Sequence, residues 1–153
     1  MMPSLRLGDL LVERGTLTPD QRDAVIEYQR HSGRPFGELA ERLFNVSAAA
    51  VEDAWADQYA AAATLIDPRA EPLDPDVLPL IERRQAWQFR VLPLRRQGGE
   101  LMVCATRNHL VRALRFVGWR IQEPTFLVLS RPEPLGQALE RYYPMPGMTP
   151  AMV

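Results

Sequence analysis

Two stretches of this chain carry nearly the same residues in the same order, Arg6–Gly15 and Arg34–Leu43. An offset of 29 residues places Gly8 on Gly37. Arginine forks suit planar or phosphate-bearing partners, so a repeated pattern of Arg and Gly is a candidate for ligand binding. A period of this length indicates a duplicated helical unit.

The same offset places Gln29 on Gln58, and both glutamines are predicted to lie on the apolar faces of their helices. A buried amide without a hydrogen-bond partner costs about 1–3 kcal/mol. Each amide therefore either bonds backbone at the end of its own helix or faces a ligand. Spacing alone favours the backbone bond and leaves the ligand open.

The chain offers no converging set of groups for catalysis. Cys104 lies in an apolar run and is expected to be a small core residue. His31 lies in a polar turn, and His109 follows Asn108 at a predicted helix start. A single cysteine excludes an internal disulfide and a cysteine-based zinc site. We therefore expect a protein that is not an enzyme and has no metal or other cofactor.

The amino-acid composition of the chain limits the classes of partner that it can bind. The 18 basic residues are all Arg and face 19 acidic ones, which gives a net charge of -1. This balance argues against binding a nucleic acid polymer or an anionic membrane. No apolar run approaches the roughly 20 residues that span a bilayer, and the N-terminus lacks the apolar region of a signal peptide. The expected protein is cytoplasmic and does not span a membrane.

Each copy of the repeat is predicted to form two short helices. Gly15 ends the first helix, and Thr18 caps the second with Pro19 at its first position and Gln21 completing a capping box. Ser47 is the matching cap in copy two. The second helices are predicted over residues 19–31 and 48–62.

The second half of the chain changes character after a proline-rich linker. The pattern predicts a strand from Arg90, a turn at Gly98-Gly99, a partner strand, a helix ending at Gly118, a buried strand over residues 125–130 and a closing helix over 134–143. The fold class is α+β, with a duplicated helix-pair bundle followed by a small α+β sandwich-like subdomain. We place the boundaries at 1–64, 65–143 and a disordered tail over 144–153.

Residues 5 to 143 resemble a known family. Copy one carries Arg6-Leu7-Gly8, Leu11-Val12, Gly15, Leu17, Ile26 and Gln29, and the later part carries Asp74-Pro75, the run F89-R-V-L-P-L and Leu139–Tyr143. This pattern is similar to the N-terminal (MshEN-like) domain of type II secretion and type IV pilus assembly ATPases. In part of that family the paired motifs bind cyclic di-GMP, one motif to each half of the dinucleotide.

The resemblance implies a set of candidate ligand-binding residues: Arg6, Leu7, Gly8, Leu11, Gly15, Gln29, Arg34, Gly37, Leu39 and Gln58. Copy two departs from the motif, with Pro35 in the place of Arg, Phe36 in the place of Leu and Phe44 in the place of Gly. Arg34 stands one residue early, and one residue turns a helical side chain by about 100°.

The family's motor domain requires a phosphate-binding loop with Lys, and this chain contains no Lys. The chain is therefore a freestanding relative of the regulatory domain or a piece of a longer protein, and the initial Met favours the former.

We expect a non-catalytic regulatory or adaptor domain that docks on a protein of a secretion, pilus or related envelope assembly. The alternative is a cyclic di-GMP sensor. With one intact copy, a chain could hold half the ligand, or two chains could share one ligand.

Overall fold

The computed structural model describes residues 7–153 and divides the chain into two compact units, residues 1–62 and 63–153. The described part of the first unit is helical. Its helices are α1 (Leu7–Glu13), α2 (Pro19–Ser32), α3 (Phe36–Phe44) and α4 (Ala48–Ala62). The predicted pair of helices in each copy is confirmed.

Local signals in the sequence set the ends of these helices. Gly15 has a φ of 73° and follows α1 in the left-handed conformation that glycine adopts without strain. Thr18 and Gln21 form the reciprocal capping box of α2, with hydrogen bonds of 3.1 and 2.9 Å. Ser47 caps α4 by accepting from the backbone N–H of Ala50 at 3.1 Å. The predicted caps are therefore present in both copies.

The short helix of each copy packs mainly on the long helix of the other copy. Helix α1 packs chiefly against α4, and α3 packs chiefly against α2, so each short helix lies on the long helix of the other copy. The core that results contains the buried residues Leu10, Leu11, Leu17, Ala40, Val46 and Ala54. Neither helix pair buries its apolar face alone, because each face is covered by the other copy.

The second unit is a small α+β fold, as predicted. Its elements are α5 (Arg83–Phe89), β1 (Leu92–Gln97), β2 (Glu100–Thr106), α6 (Leu110–Arg120), β3 (Thr125–Ser130) and α7 (Pro132–Tyr142). The sheet has the order β1-β2-β3, with β1 and β2 antiparallel and β2 and β3 parallel. Gly98 and Gly99 both have positive φ and form the predicted hairpin turn.

Two predictions for this unit were wrong. Gly118 does not end α6, which continues to Arg120, because one glycine inside a helix costs only about 1 kcal/mol relative to Ala. The segment 144–153 is not disordered: Pro150–Met152 form a 3₁₀-helix whose Pro150 backbone lies directly over Gly136. Arg90 also donates to the carbonyl of Met152 at 3.2 Å.

Within residues 7–153, every helix is too short or too polar to cross a bilayer.

Candidate functional site

A cleft of about 630 Å³ opens in the helical unit. This volume lies within the range of about 300–1,000 Å³ that is usual for small-molecule sites. The residues that line the cleft come from both copies of the repeat, and they are Leu7, Gly8, Asp9, Arg22, Asp23, Ile26, Gln29, Phe36 and Gln58.

The floor of the cleft lies where α1 and α3 approach each other at Gly8. A Cβ at Gly8 would lie 2.8 Å from Phe36 Cζ and 3.1 Å from Arg22 Cγ. The equivalent Gly37 is covered instead by Val51, whose Cγ1 would lie 2.6 Å from its Cβ, and by Leu7 at 3.6 Å. Both glycines are therefore required for close helix packing, and the contacts around them are reciprocal between the copies.

The ten candidate residues divide into several groups. Leu7, Gly8, Gln29 and Gln58 line the cleft. Leu11 and Leu39 are core residues, and Gly37 is buried at the helix approach. Gly15 forms the turn after α1 with open space around it. Arg6 lies outside the described residues.

Arg34 does not reach the cleft. Its Nη1 donates to Glu38 at 2.8 Å, and its side chain lines a separate groove with Tyr28 and Leu43. Pro35, which stands where copy one has Arg6, is the residue that precedes α3 and has extended backbone angles. Copy two therefore contributes Phe36 and Gln58 to the lining of the cleft. Within residues 7–153 it contributes no positively charged side chain to that lining.

The paired glutamines behave alike. Both are partly buried and line the cleft, although they lie on different long helices, α2 and α4. Within residues 7–153 neither side-chain amide has a hydrogen-bond partner in the protein. The expected backbone bond at the end of each helix is therefore not seen among these residues.

The charged rim of the cleft is formed by Arg22 and two carboxylates. Arg22 Nη1 lies 3.2 Å from Asp9 Oδ1, and its Nε lies 3.2 Å from Asp23 Oδ1. The sequence analysis named none of these three residues as candidates, although Asp9 and Asp23 correspond to the acidic Glu38 and Glu52 of copy two. Arg22 has Val51 as its counterpart in copy two.

Two of the groups considered for catalysis, Cys104 and His109, lie in the α+β unit. Cys104 is buried in β2, and this burial raises the pKa of its thiol to about 12, so the thiol stays protonated at neutral pH. Burial, together with Arg90 and Arg112, lowers the pKa of His109, whose Nδ1 lies 3.2 Å from Thr106 Oγ1. Among residues 7–153 no cluster of His, Cys, Asp and Glu has the geometry of a metal site.

A second surface of interest lies on α6 in the α+β unit. Trp119 is 75% exposed, whereas Trp87 is buried and donates its Nε1–H to the carbonyl of Tyr143 at 2.8 Å. Trp119 lies next to Phe116, which stacks on Phe89 with ring centroids 4.2 Å apart. Arg112 and Arg115 complete this surface, which we call the Trp119 surface.

Comparisons with known proteins agree with this architecture. The type IV pilus assembly ATPase PilB of Myxococcus xanthus (strain DK1622) is 27% identical over 146 residues, which are 93% of this chain and 25% of that protein. The chain thus spans about a quarter of the length of that relative. A structure of MshE with cdg matches with a TM-score of 0.50 and 26% identity, over 91% of this chain and 99% of that one. The N-terminal domain of XpsE matches with a TM-score of 0.47 and 24% identity, over 94% and 100% of the two chains.

The family model of the MshEN domain matches residues 38–149, from within α3 to the C-terminal segment. This match takes in copy two from Glu38 onward and the whole of the α+β sheet with its helices. Since it covers most of the chain, the chain belongs to the MshEN domain family.

Proposed function

We propose that this chain is a non-catalytic regulatory domain that binds cyclic di-GMP in the cleft of its helical unit. The observation that carries the proposal is the cleft itself, which gathers Gly8 and Gln29 from copy one with Gln58 from copy two. The similarity to MshE, solved with cdg, supports the choice of a cyclic dinucleotide.

The chemistry of the lining fits a guanine base. Guanine presents N–H donors at N1 and N2 and acceptors at O6 and N7, and a glutamine amide can both donate and accept. A carboxylate such as Asp9 accepts from the N–H groups. Leu7, Ile26 and Phe36 supply the apolar surface against which a base packs. The lining therefore offers hydrogen bonds for the edge of a purine and contacts for its faces.

Calorimetric titration of the purified chain with cyclic di-GMP tests the proposal, with cyclic di-AMP as the matched ligand. We expect micromolar binding of cyclic di-GMP alone. Gln29→Leu and Gln58→Leu should each weaken it about tenfold, which corresponds to about 1.4 kcal/mol. Gln122→Leu removes an exposed amide in the other unit and is the control. No heat at millimolar cyclic di-GMP would reject the proposal.

A second function, protein docking, is favoured by the Trp119 surface. Exposed Trp and Arg are the residue types that dominate binding energy at protein interfaces. The lining residues include Arg112 and Arg115 and no acidic side chain. The complementary partner is an acidic segment with apolar side chains, on a protein of the secretion, pilus or related assembly in which MshEN-containing ATPases act.

Fluorescence anisotropy of a labelled helical peptide with Glu and Leu at i, i+4 spacing tests this docking function, with the Glu→Gln peptide as its control. We expect binding that requires both the carboxylates and Trp119, so that Trp119→Ala and Arg112→Glu abolish it. Arg141→Glu changes an exposed arginine that stacks on Tyr142 and should have no effect. Equal binding of both peptides, or of wild type and Trp119→Ala, would reject this surface as the docking site.

A further inference from the structure

The cleft contains a cation that the repeat motif does not account for. Among its lining residues in the described part of the chain, Arg22 alone is positively charged, and Asp9 and Asp23 are negative. Cyclic di-GMP carries two phosphate charges, and among residues 7–153 Arg22 is the lining side chain whose charge would attract them.

Arg22 is held at the cleft by two different parts of its side chain. Its apolar stem packs over Gly8, with Cγ 3.1 Å from the position of a Cβ on that glycine. Its guanidinium is paired with Asp9 and Asp23, each at 3.2 Å. The stem therefore fixes the side chain at the site, while the charged end is held only by pairs at the surface.

Two other arginines of the repeat pair with carboxylates outside the cleft. Arg34 pairs with Glu38 in a separate groove, and Arg14 pairs with Asp53 and Asp57 on the α1–α4 side. In copy two the position equivalent to Arg22 is Val51, which closes over Gly37. The positively charged Arg22 thus covers Gly8 of copy one, whereas the apolar Val51 covers Gly37 of copy two.

Resting on the cyclic di-GMP site proposed above, we propose that Arg22 is the phosphate-binding residue of the cleft and that it exchanges Asp9 and Asp23 for a ligand phosphate on binding. Partly exposed ion pairs contribute little to stability, so these two pairs give way readily to a phosphate. A guanidinium bound bidentately to a phosphate makes two charge-assisted hydrogen bonds, which are about twice as strong as neutral ones. The exchange is therefore favourable once a phosphate enters the cleft.

The test is titration of the whole chain with cyclic di-GMP at about 50 and about 300 mM salt, since salt screens exposed charges. Arg22→Met keeps an apolar stem over Gly8 and removes the charge. We expect it to weaken binding at least about tenfold and to reduce the dependence of affinity on salt. Arg30→Met is the matched control, because Arg30 lies on the same helix, is exposed and does not line the cleft.

Asp23→Asn should change the affinity for cyclic di-GMP in the direction opposite to Arg22→Met. It removes one competitor for Arg22 and one negative charge, so affinity for cyclic di-GMP should rise about threefold at low salt. The rise should be smaller in an Arg22→Met background, where Asp23 has no guanidinium to release. Because Asp23→Asn retains Arg22, it also carries the test if Arg22→Met does not fold, as judged by circular dichroism.

The outcomes separate the two proposals. If wild type binds and Arg22→Met binds within about twofold with the same salt dependence, the role of Arg22 is rejected and the cyclic di-GMP site stands. An unchanged or weaker affinity of Asp23→Asn rejects the role of Arg22 in the same way. If wild type gives no heat with millimolar ligand, the site itself is rejected and the role of Arg22 with it.

Discussion

Copy one and copy two of the repeat place a glycine at the same point of the fold and cover it differently. Gly8 lies under the stem of Arg22 and the tip of the Phe36 ring, and the cleft opens beside it. Gly37 lies under the branched side chain of Val51 and is buried. The shared glycine serves packing in both copies, and the side chain that covers it differs between them.

The positions that the copies share are those that the fold requires. Leu10 and Leu39 are equivalent and both buried, and Thr18 and Ser47 are equivalent caps. The copies differ in the residue that covers the shared glycine, which is Arg22 in copy one and Val51 in copy two. A duplicated unit can thus keep its packing in both halves while only one half retains a charged site.

The largest expected effect comes from filling the buried glycine. Gly37→Ala places a Cβ 2.6 Å from Val51 Cγ1, and a β-branched side chain has no alternative rotamer of similar energy. We expect the free energy of unfolding to fall by about 1–3 kcal/mol. Gly8→Ala should cost less, because the ring tip of Phe36 and the stem of Arg22 can move.

Urea denaturation followed by far-UV circular dichroism measures both variants. The double variant Gly37→Ala/Val51→Ala removes the clash and should recover most of the lost stability. Equal losses for Gly8→Ala and Gly37→Ala would show that the two glycines are not covered differently.

Restoring the motif in copy two is the next test. Pro35→Arg supplies the residue that copy one has at Arg6, at a site whose φ of -58° and ψ of 144° an arginine adopts without strain. We expect affinity for cyclic di-GMP to rise about tenfold, or about 1.4 kcal/mol, close to the lower end of the roughly 1.5–3 kcal/mol of a hydrogen bond to a charged group. Calorimetry measures the change, and Pro79→Arg, in the other unit, is the control for added charge. An unchanged affinity would mean that copy two contributes no cation-binding position.

The helix caps should differ by a smaller amount. Thr18→Ala breaks a reciprocal capping box, whereas Ser47→Ala breaks a single bond to Ala50. Each substitution should lower the free energy of unfolding by about 0.5–2 kcal/mol, with the larger loss for Thr18. Thr149→Ala is the matched control, since Thr149 precedes a 3₁₀-helix without capping it through its side chain. Thermal unfolding checks the order, and a larger loss at Ser47 would contradict it.

The smallest effect concerns an ion pair that only one copy has. Arg14 pairs with Asp53 at 3.0 Å and with Asp57, and its equivalent in copy two is the exposed Leu43. Arg14→Leu should cost about 0.2–1 kcal/mol at low salt, because these charges are partly exposed. The loss should disappear near 1 M salt, where the Debye length is about 3 Å. Urea denaturation at both salt concentrations measures it, and an equal loss at both would mean that packing is responsible.

Much of the fold was readable from local patterns. The capping box at Thr18, the left-handed Gly15 and the hairpin turn at Gly98-Gly99 each depend on a few adjacent residues, and all are confirmed. The predicted end of α6 at Gly118 was wrong because the intrinsic preference of one residue is weaker than the packing of a whole helix. The ordered segment at 150–152 was missed because its contact is with Gly136, which no local pattern indicates.

The sequence by itself determined the duplicated helix pairs, their caps and the α+β character of the second half, because these follow from residue spacing and from hydrogen bonds within a few residues. Only the tertiary structure decided which candidates meet. Leu11 and Leu39 lie in the core, and Arg34 bonds to Glu38. Gln29 and Gln58 line the same cleft. The reason is that each short helix packs on the long helix of the other copy, α1 on α4 and α3 on α2. The packing of α1 on α4 depends on contacts between residues far apart in the chain, which a local pattern does not encode.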